Sequence, residues 1–126
     1  MTPAHPVPIP EAPGRAAEDA AARFLRKQGY VLLARNFSTP QGEVDIIAAD
    51  GETVVFVEVR SRASRGSVEP HASVGPAKQA RVRAAASRYL ATKKAEGALC
   101  RFDVVSLVRH REVRGGWEIE LFRDAF

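Results

Sequence analysis

GEVDIIAADGETVVFVEVR, residues 42–60, reads as two β-strands joined at Asp50-Gly51, a dipeptide that favours tight hairpin turns because both positions tolerate positive φ. A turn centred there sets residue i opposite residue 101 − i, so Asp45 faces Phe56 and Glu43 faces Glu58. Side chains alternate along a strand, which puts Glu43, Asp45, Glu58 and Arg60 on one face with Ile47, Val54 and Phe56. Asp45 and Glu58 then become diagonal neighbours, roughly 7 Å apart at Cα. Their carboxylates are expected within about 6 Å of each other, close enough to share one Mg²⁺ at about 2.1 Å from each ligand oxygen. The other face carries Val44, Ile46, Val55, Val57 and Val59. Strands apolar on both sides are usually covered on both sides. Acids gathered at the end of such strands repel one another and are costly to desolvate. Either a divalent cation compensates them, or water solvates them at an exposed sheet end.

The chain has 126 residues, enough for one domain with a core of its own. Hydrophobic residues make up 45% and charged residues 27%, the balance of an ordinary soluble globular protein. A single cysteine, Cys100, excludes an internal disulfide and a multi-cysteine zinc site, and His5, His71 and His110 are too scattered to suggest a ligand set. No apolar run has the length of a membrane helix, and the N-terminus lacks the pattern of a secretory signal, so a cytoplasmic protein without membrane contact is expected. The net charge is +4, but the charges are segregated. Between Asn36 and Glu58 there are five acids and no Lys or Arg, whereas Arg60 to Lys94 holds nine cations against Glu69 alone. An acidic pocket beside a basic belt suits a metal-dependent protein acting on a polyanion. The plainer reading of the belt is a solvated basic helix face.

Residues 1–13 contain five of the eight prolines and are expected to form an extended or disordered tail, leaving residues 14–126 as the folded domain. Arg15 to Gln28 is alanine-rich and helical, closed by Gly29, with Ala17, Ala21, Phe24 and Leu25 as its apolar stripe. Glu18 borders that stripe. A helix laid on the hairpin would bring it to the acid cluster, although an acid in a first helical turn also simply suits the macrodipole. Tyr30 to Arg35 is a short apolar strand, followed by a turn from Ser38 to Gly42. After the hairpin, Arg62 to Gly75 forms a polar, basic loop, and a second helix runs from Pro76 to about Lys94 with Val82, Ala86, Tyr89 and Leu90 buried. Lys78 and Gln79 lie near the same side, towards the core or the pocket, while Arg81, Arg83 and Arg88 spread over the outer surface. Arg101 to Val108 and Trp117 to Phe122 complete the pattern as strands. Helix, three strands, helix, two strands is an α/β fold with a mixed sheet flanked by helices.

The segments AAEDAAARFLRKQGYVLLARNF, GEVDIIAADGETVVFVEVRSR, AKQARVRAAASRYL, RFDVVS and the terminal DAF resemble the YraN family of small bacterial proteins, in order and over nearly all of Arg15 to Phe126. The resemblance implies a restriction-endonuclease-like fold, likened to archaeal Holliday junction resolvases, with a PD-(D/E)XK site. It places Glu18, Asp45 and Glu58 as ligands of Mg²⁺ or Mn²⁺, and Asp45, Glu58, Arg60 and Gln79 (or Lys78) as the reacting set. The signature has lysine where this chain has Arg60. Arginine is not deprotonated in a protein and cannot act as a general base, but it can hold a phosphate and stabilise developing negative charge. The leading expectation is a DNA-binding, Mg²⁺-dependent endonuclease for branched or otherwise unusual DNA, gripping nucleic acid through Arg62, Arg65, Lys78, Arg81, Arg83 and Arg88. The alternatives are a nucleic-acid-binding module with little or no cleavage because of Arg60, and a protein-interaction role with ion-paired acids. Nothing in the sequence distinguishes a monomer from a homodimer.

Overall fold

A computed structural model describes residues 14–62, 74–110 and 112–126. The expected proline-rich tail, His5, Arg65, His71 and most of the polar loop lie outside the described residues. The elements are α1 (Arg15–Lys27), β1 (Val31–Thr39), β2 (Gly42–Asp50), β3 (Thr53–Arg62), α2 (Pro76–Thr92), β4 (Cys100–Arg109), a short 3₁₀ turn (Arg114–Gly116) and β5 (Trp117–Phe122). The five strands form one mixed sheet in sequence order, with β3 and β4 parallel and every other pair antiparallel. A parallel pair needs a crossover rather than a hairpin, and α2 lies in that crossover.

Both faces of the sheet are covered, as the doubly apolar strands require. On one side Ala17, Ala21 and Leu25 of α1 pack on Ile46, Val57 and Val105. On the other, Val82, Ala86 and Tyr89 of α2 pack on Val44, Ile47 and Phe56. Both helices stop in the same way. At the end of α1, Tyr30 N–H bonds the Leu25 carbonyl and Gly29 N–H bonds Arg26, with Gly29 at φ 96°. At the end of α2, Ala95 N–H bonds Leu90 and Lys94 N–H bonds Ala91, with Lys94 at φ 56°. These are Schellman closures, whose left-handed position normally goes to glycine. A lysine there gave no glycine signal in the sequence.

The hairpin register differs from the expected one. Asp50 pairs with Thr53, and Gly51-Glu52 form the turn, so residue i faces residue 103 − i through Ile46↔Val57. Gly51 takes φ 62° as the first turn residue, where glycine carries no Cβ penalty. The shift is by two, so it preserves which residues share a face. β1 is also longer than expected, running to Thr39 and leaving only Pro40-Gln41 as its turn, because Phe37 packs edge-on against Tyr89 with ring centroids 5.3 Å apart.

A buried polar network fastens the C-terminus. Asp103, fully buried, accepts hydrogen bonds from the Tyr30 hydroxyl (2.9 Å), the Arg101 guanidinium (2.9 and 3.0 Å) and the Asp124 N–H (2.9 Å). Phe126 then lies against Phe102, with centroids 5.2 Å apart.

Candidate active site at the strand fork

Beyond Ile46↔Val57 the pairing of β2 with β3 ends. β2 continues alongside β1 as far as Gly42, and β3 continues alongside β4 as far as Arg62. The two strands therefore part at Asp45 and Glu58, the positions that the register would bring face to face. Alternation also slips here. Val44 and Ile47, three residues apart, both pack under α2, while Ile46 packs under α1. Across the β1 ladder Asn36 sits at φ 54°, between the pairs Arg35↔Ile46 and Phe37↔Val44. The expectation that Val44 and Ile46 share a face is thus overturned. A non-glycine residue in the left-handed region twists the ladder locally, and both strands change face across it.

Asp45 occupies the mouth of the fork. Its Oδ2 accepts the Val59 N–H at 2.8 Å, supplying a side-chain partner for a main-chain donor just past the end of the β2–β3 ladder. Burial above all, and then the negative charge of Glu58, push its carboxyl up to about 7; the Val59 hydrogen bond and Lys78 oppose that shift, and Glu18 adds to it weakly. Glu58 lies near enough for its charge to act on the Asp45 carboxyl. Glu58 is itself buried, and its Oε2 forms an ion pair with Lys78 Nζ at 2.8 Å. Lys78 comes from the first turn of α2, where the helix macrodipole disfavours a cation. A buried carboxylate opposite supplies the compensating charge.

Glu18 arrives from α1, also buried, but its Oε1 accepts from Arg35 at 3.0 Å and from Asn36 at 2.9 Å. These two partners went unrecognised in the sequence, although Arg35-Asn36 is a polar interruption of an apolar strand and could have marked the spot. The Gln79 side-chain amide donates to the Val74 carbonyl at 2.7 Å and so fastens the chain leading into α2. Arg60 lies two residues beyond Glu58, half-buried, level with Ser106 of β4.

Among the described residues no three His, Cys, Asp or Glu side chains stand together as a ligand set. The Asp45–Glu58 pair nevertheless fits a divalent cation. Mg²⁺ is commonly held by one or two carboxylates, with water and substrate phosphate completing the shell, and burial together with the Glu58 charge makes the ionised Asp45 carboxylate costly to leave uncompensated.

Beside the fork, the β1–β2 turn and α2 enclose a groove of about 330 Å³, lined by Gln41 and Glu43 on one wall and by Lys78, Arg81 and Val82 on the other. Gly42 makes this close approach feasible, since a Cβ there would collide with the Arg81 backbone carbonyl. Arg81 and Arg88 are exposed on α2. Arg83 is committed elsewhere: it donates to the Phe126 carbonyl at 2.7 Å and its guanidinium lies 4.5 Å from the centre of the Phe102 ring. Arg62 closes β3, half-buried. Among the described residues no helix is long and apolar enough to cross a membrane.

The profile of Uncharacterised protein family UPF0102 matches residues 17–107, from α1 through β4. A UPF0102 protein of Desulfosudis oleivorans is 44% identical over 113 residues, covering 90% of this chain and 88% of the relative. Another from Moorella thermoacetica is 42% identical over 113 residues, covering 90% and 93%. The UPF0102 protein RSc3265 of Ralstonia nicotianae is 43% identical over 130 residues, covering 96% and 95%. The matched span takes in the fork, both of its carboxylates and Lys78, and the chain belongs to the UPF0102 family, the YraN family.

Proposed function

We propose that this protein binds DNA and hydrolyses its phosphodiester backbone with the help of Mg²⁺ or Mn²⁺, on a restriction-endonuclease-like core, with branched DNA as the favoured substrate. The observation that carries the reading is the strand fork, where β2 and β3 part at half-buried Asp45 and buried Glu58, and where burial and the Glu58 charge together raise the Asp45 carboxyl. The element order supports the core assignment: a helix, a three-stranded antiparallel meander, a crossover helix and a strand parallel to β3.

In this reading Asp45 and Glu58 hold the cation, which when bound activates a water and stabilises negative charge on phosphorus-bound oxygen. Asp45 is oriented by the Val59 N–H. Arg60 serves as a clamp for the scissile phosphate, and removing one such donor typically costs about 10²–10³ in rate. Glu18, in its contacts with Arg35 and Asn36, supports the fork from the α1 side. Arg81 and Arg88 supply phosphate contacts that hold the strand without reading its sequence.

A second reading, a nucleic-acid-binding module that does not cleave, is favoured by Arg60 in place of lysine and by Lys78 on Glu58. One assay separates the two. Purified protein with Mn²⁺ is offered duplex, single-stranded, flap and four-way-junction DNA. The enzymatic reading expects cleavage that is lost in Arg60→Ala, retained or raised in Arg60→Lys, and absent in Asp45→Asn. Cleavage unchanged in Asp45→Asn belongs to a contaminant. Binding without cleavage in every variant leaves the module.

A further inference from the structure

Lys78 serves two surroundings at once. Its Nζ lies 2.8 Å from Glu58 Oε2, and its side chain also lines the groove between α2 and the β1–β2 turn. The two partners are held very differently. The Glu58 side chain is 7% exposed and fixed by a central strand, whereas that of Lys78 is 44% exposed. An ammonium on a four-carbon stem reorients readily. Nothing acidic in the first turn of α2 tethers it to the helix. A singly charged ammonium on a carboxylate, with a second, half-buried carboxylate nearby, is open to displacement by an ion of higher charge, because the attraction scales with the product of the charges.

We infer that Lys78 is an exchangeable counter-cation of the Asp45–Glu58 pair: a divalent metal ion displaces its ammonium from Glu58, and the released ammonium turns into the groove beside Arg81, where it meets a phosphodiester of the bound strand. The inference rests on the metal-dependent reading of the fork and adds to it an order of events. The carboxylates keep a compensating charge before and after the exchange, so the fork is never left with two uncompensated acids. The groove gains a second cation only once the metal is in place. Binding of the polyanion is thereby coupled to loading of the site.

The experiment titrates Mn²⁺ alone into the full chain, with no DNA present, and follows binding by calorimetry. The variants are Lys78→Gln, Lys78→Arg and, as a remote charge control on α1, Lys27→Gln. Lys78→Gln removes the competitor and is expected to bind Mn²⁺ at least about 5-fold more tightly than wild type, the lower end of ordinary coupling between linked ligands. Lys78→Arg and Lys27→Gln are expected to show no such gain. Equal or weaker Mn²⁺ binding by Lys78→Gln overturns the exchange while leaving the metal site in place. Absence of Mn²⁺ binding in both wild type and Lys78→Gln overturns the metal site and the exchange together. Should Lys78→Gln not fold, wild type carries the test. Its four lysines are labelled by ¹³C reductive methylation, and the Lys78 resonance is expected to move on Mg²⁺ addition at concentrations that raise the melting temperature. A Lys78 resonance that stays still overturns the proposal.

Discussion

Replacing Asp45 with asparagine should make the protein more stable at alkaline pH. Burial and the Glu58 charge move the Asp45 carboxyl from its ordinary 3.8 up to about 7 in the folded chain. Below about pH 4 folded and unfolded chains both hold this proton, and the site costs nothing. As pH rises from about 4 to 7 the unfolded chain releases the proton while the folded chain retains it, so folding stability falls; above about pH 7 the loss is complete. The difference, 7 − 3.8, is about 3 pH units, and at about 1.36 kcal/mol per unit the cost is at most roughly 4 kcal/mol. Asp45 lies at a half-buried rim, so we expect about 1–4 kcal/mol once solvent screening is allowed for. Asparagine has the same shape, never charges, and can still accept the Val59 N–H through Oδ1. Urea unfolding of wild type and Asp45→Asn, followed by circular dichroism in EDTA at pH 4.5, 6, 7 and 8.5, should give a difference that is small at the acid end and grows to its full size by pH 8.5. Titrating groups that do not interact with Asp45 cancel in that comparison, whereas Glu58, whose charge acts on Asp45, contributes to the difference in the same direction. Saturating Mg²⁺ should then stabilise wild type by mass action and leave Asp45→Asn nearly unmoved. An Asp45→Asn chain that is less stable than wild type at pH 8.5, or a difference independent of pH, would refute the account of the fork as a place where the ionised Asp45 carboxylate is costly to leave uncompensated.

Tyr30→Phe removes the hydroxyl that donates to Asp103 and accepts from Arg101 and Arg123, and should cost about 1–3 kcal/mol in chemical denaturation. Lys94→Gly relieves the left-handed strain at the end of α2 and should raise stability by about 1 kcal/mol, read as an increase in melting temperature. Gly42→Ala drives a methyl into the Arg81 carbonyl, so α2 must back away from β2, with a loss of about 1–3 kcal/mol in thermal unfolding. On the basic surface, Arg81→Gln and Arg88→Gln should each reduce the magnitude of the log–log salt slope of duplex binding by about 0.9 without changing stability. Arg83→Gln should instead lower the melting temperature, because its guanidinium holds Phe126 and Phe102.

Much of this molecule was legible without its tertiary structure because the signals are local. Apolar periodicity and the caps Gly29 and Pro76 located α1 and α2, alternation located β5 from Trp117 to Phe122, and strands apolar on both faces implied cover on both sides. Glu58 and Arg60 could be put on one face of one strand because Val59 alone separates them, and the blocks shared with relatives span the fork. What stayed hidden depends on partners distant in sequence. An Asp-Gly pair permits glycine at either central turn position, so the register shifted by two until packing chose Gly51-Glu52. The parting of β2 from β3 arises because β1 and β4 capture their free edges, a competition that neither strand encodes alone. Glu18 found Arg35 and Asn36, Glu58 found Lys78, and Arg83 found a carbonyl 43 residues away. Composition and spacing determine which charges a chain carries; only the fold determines which of them lose their water, and a desolvated charge must take whatever counter-charge the fold brings within reach.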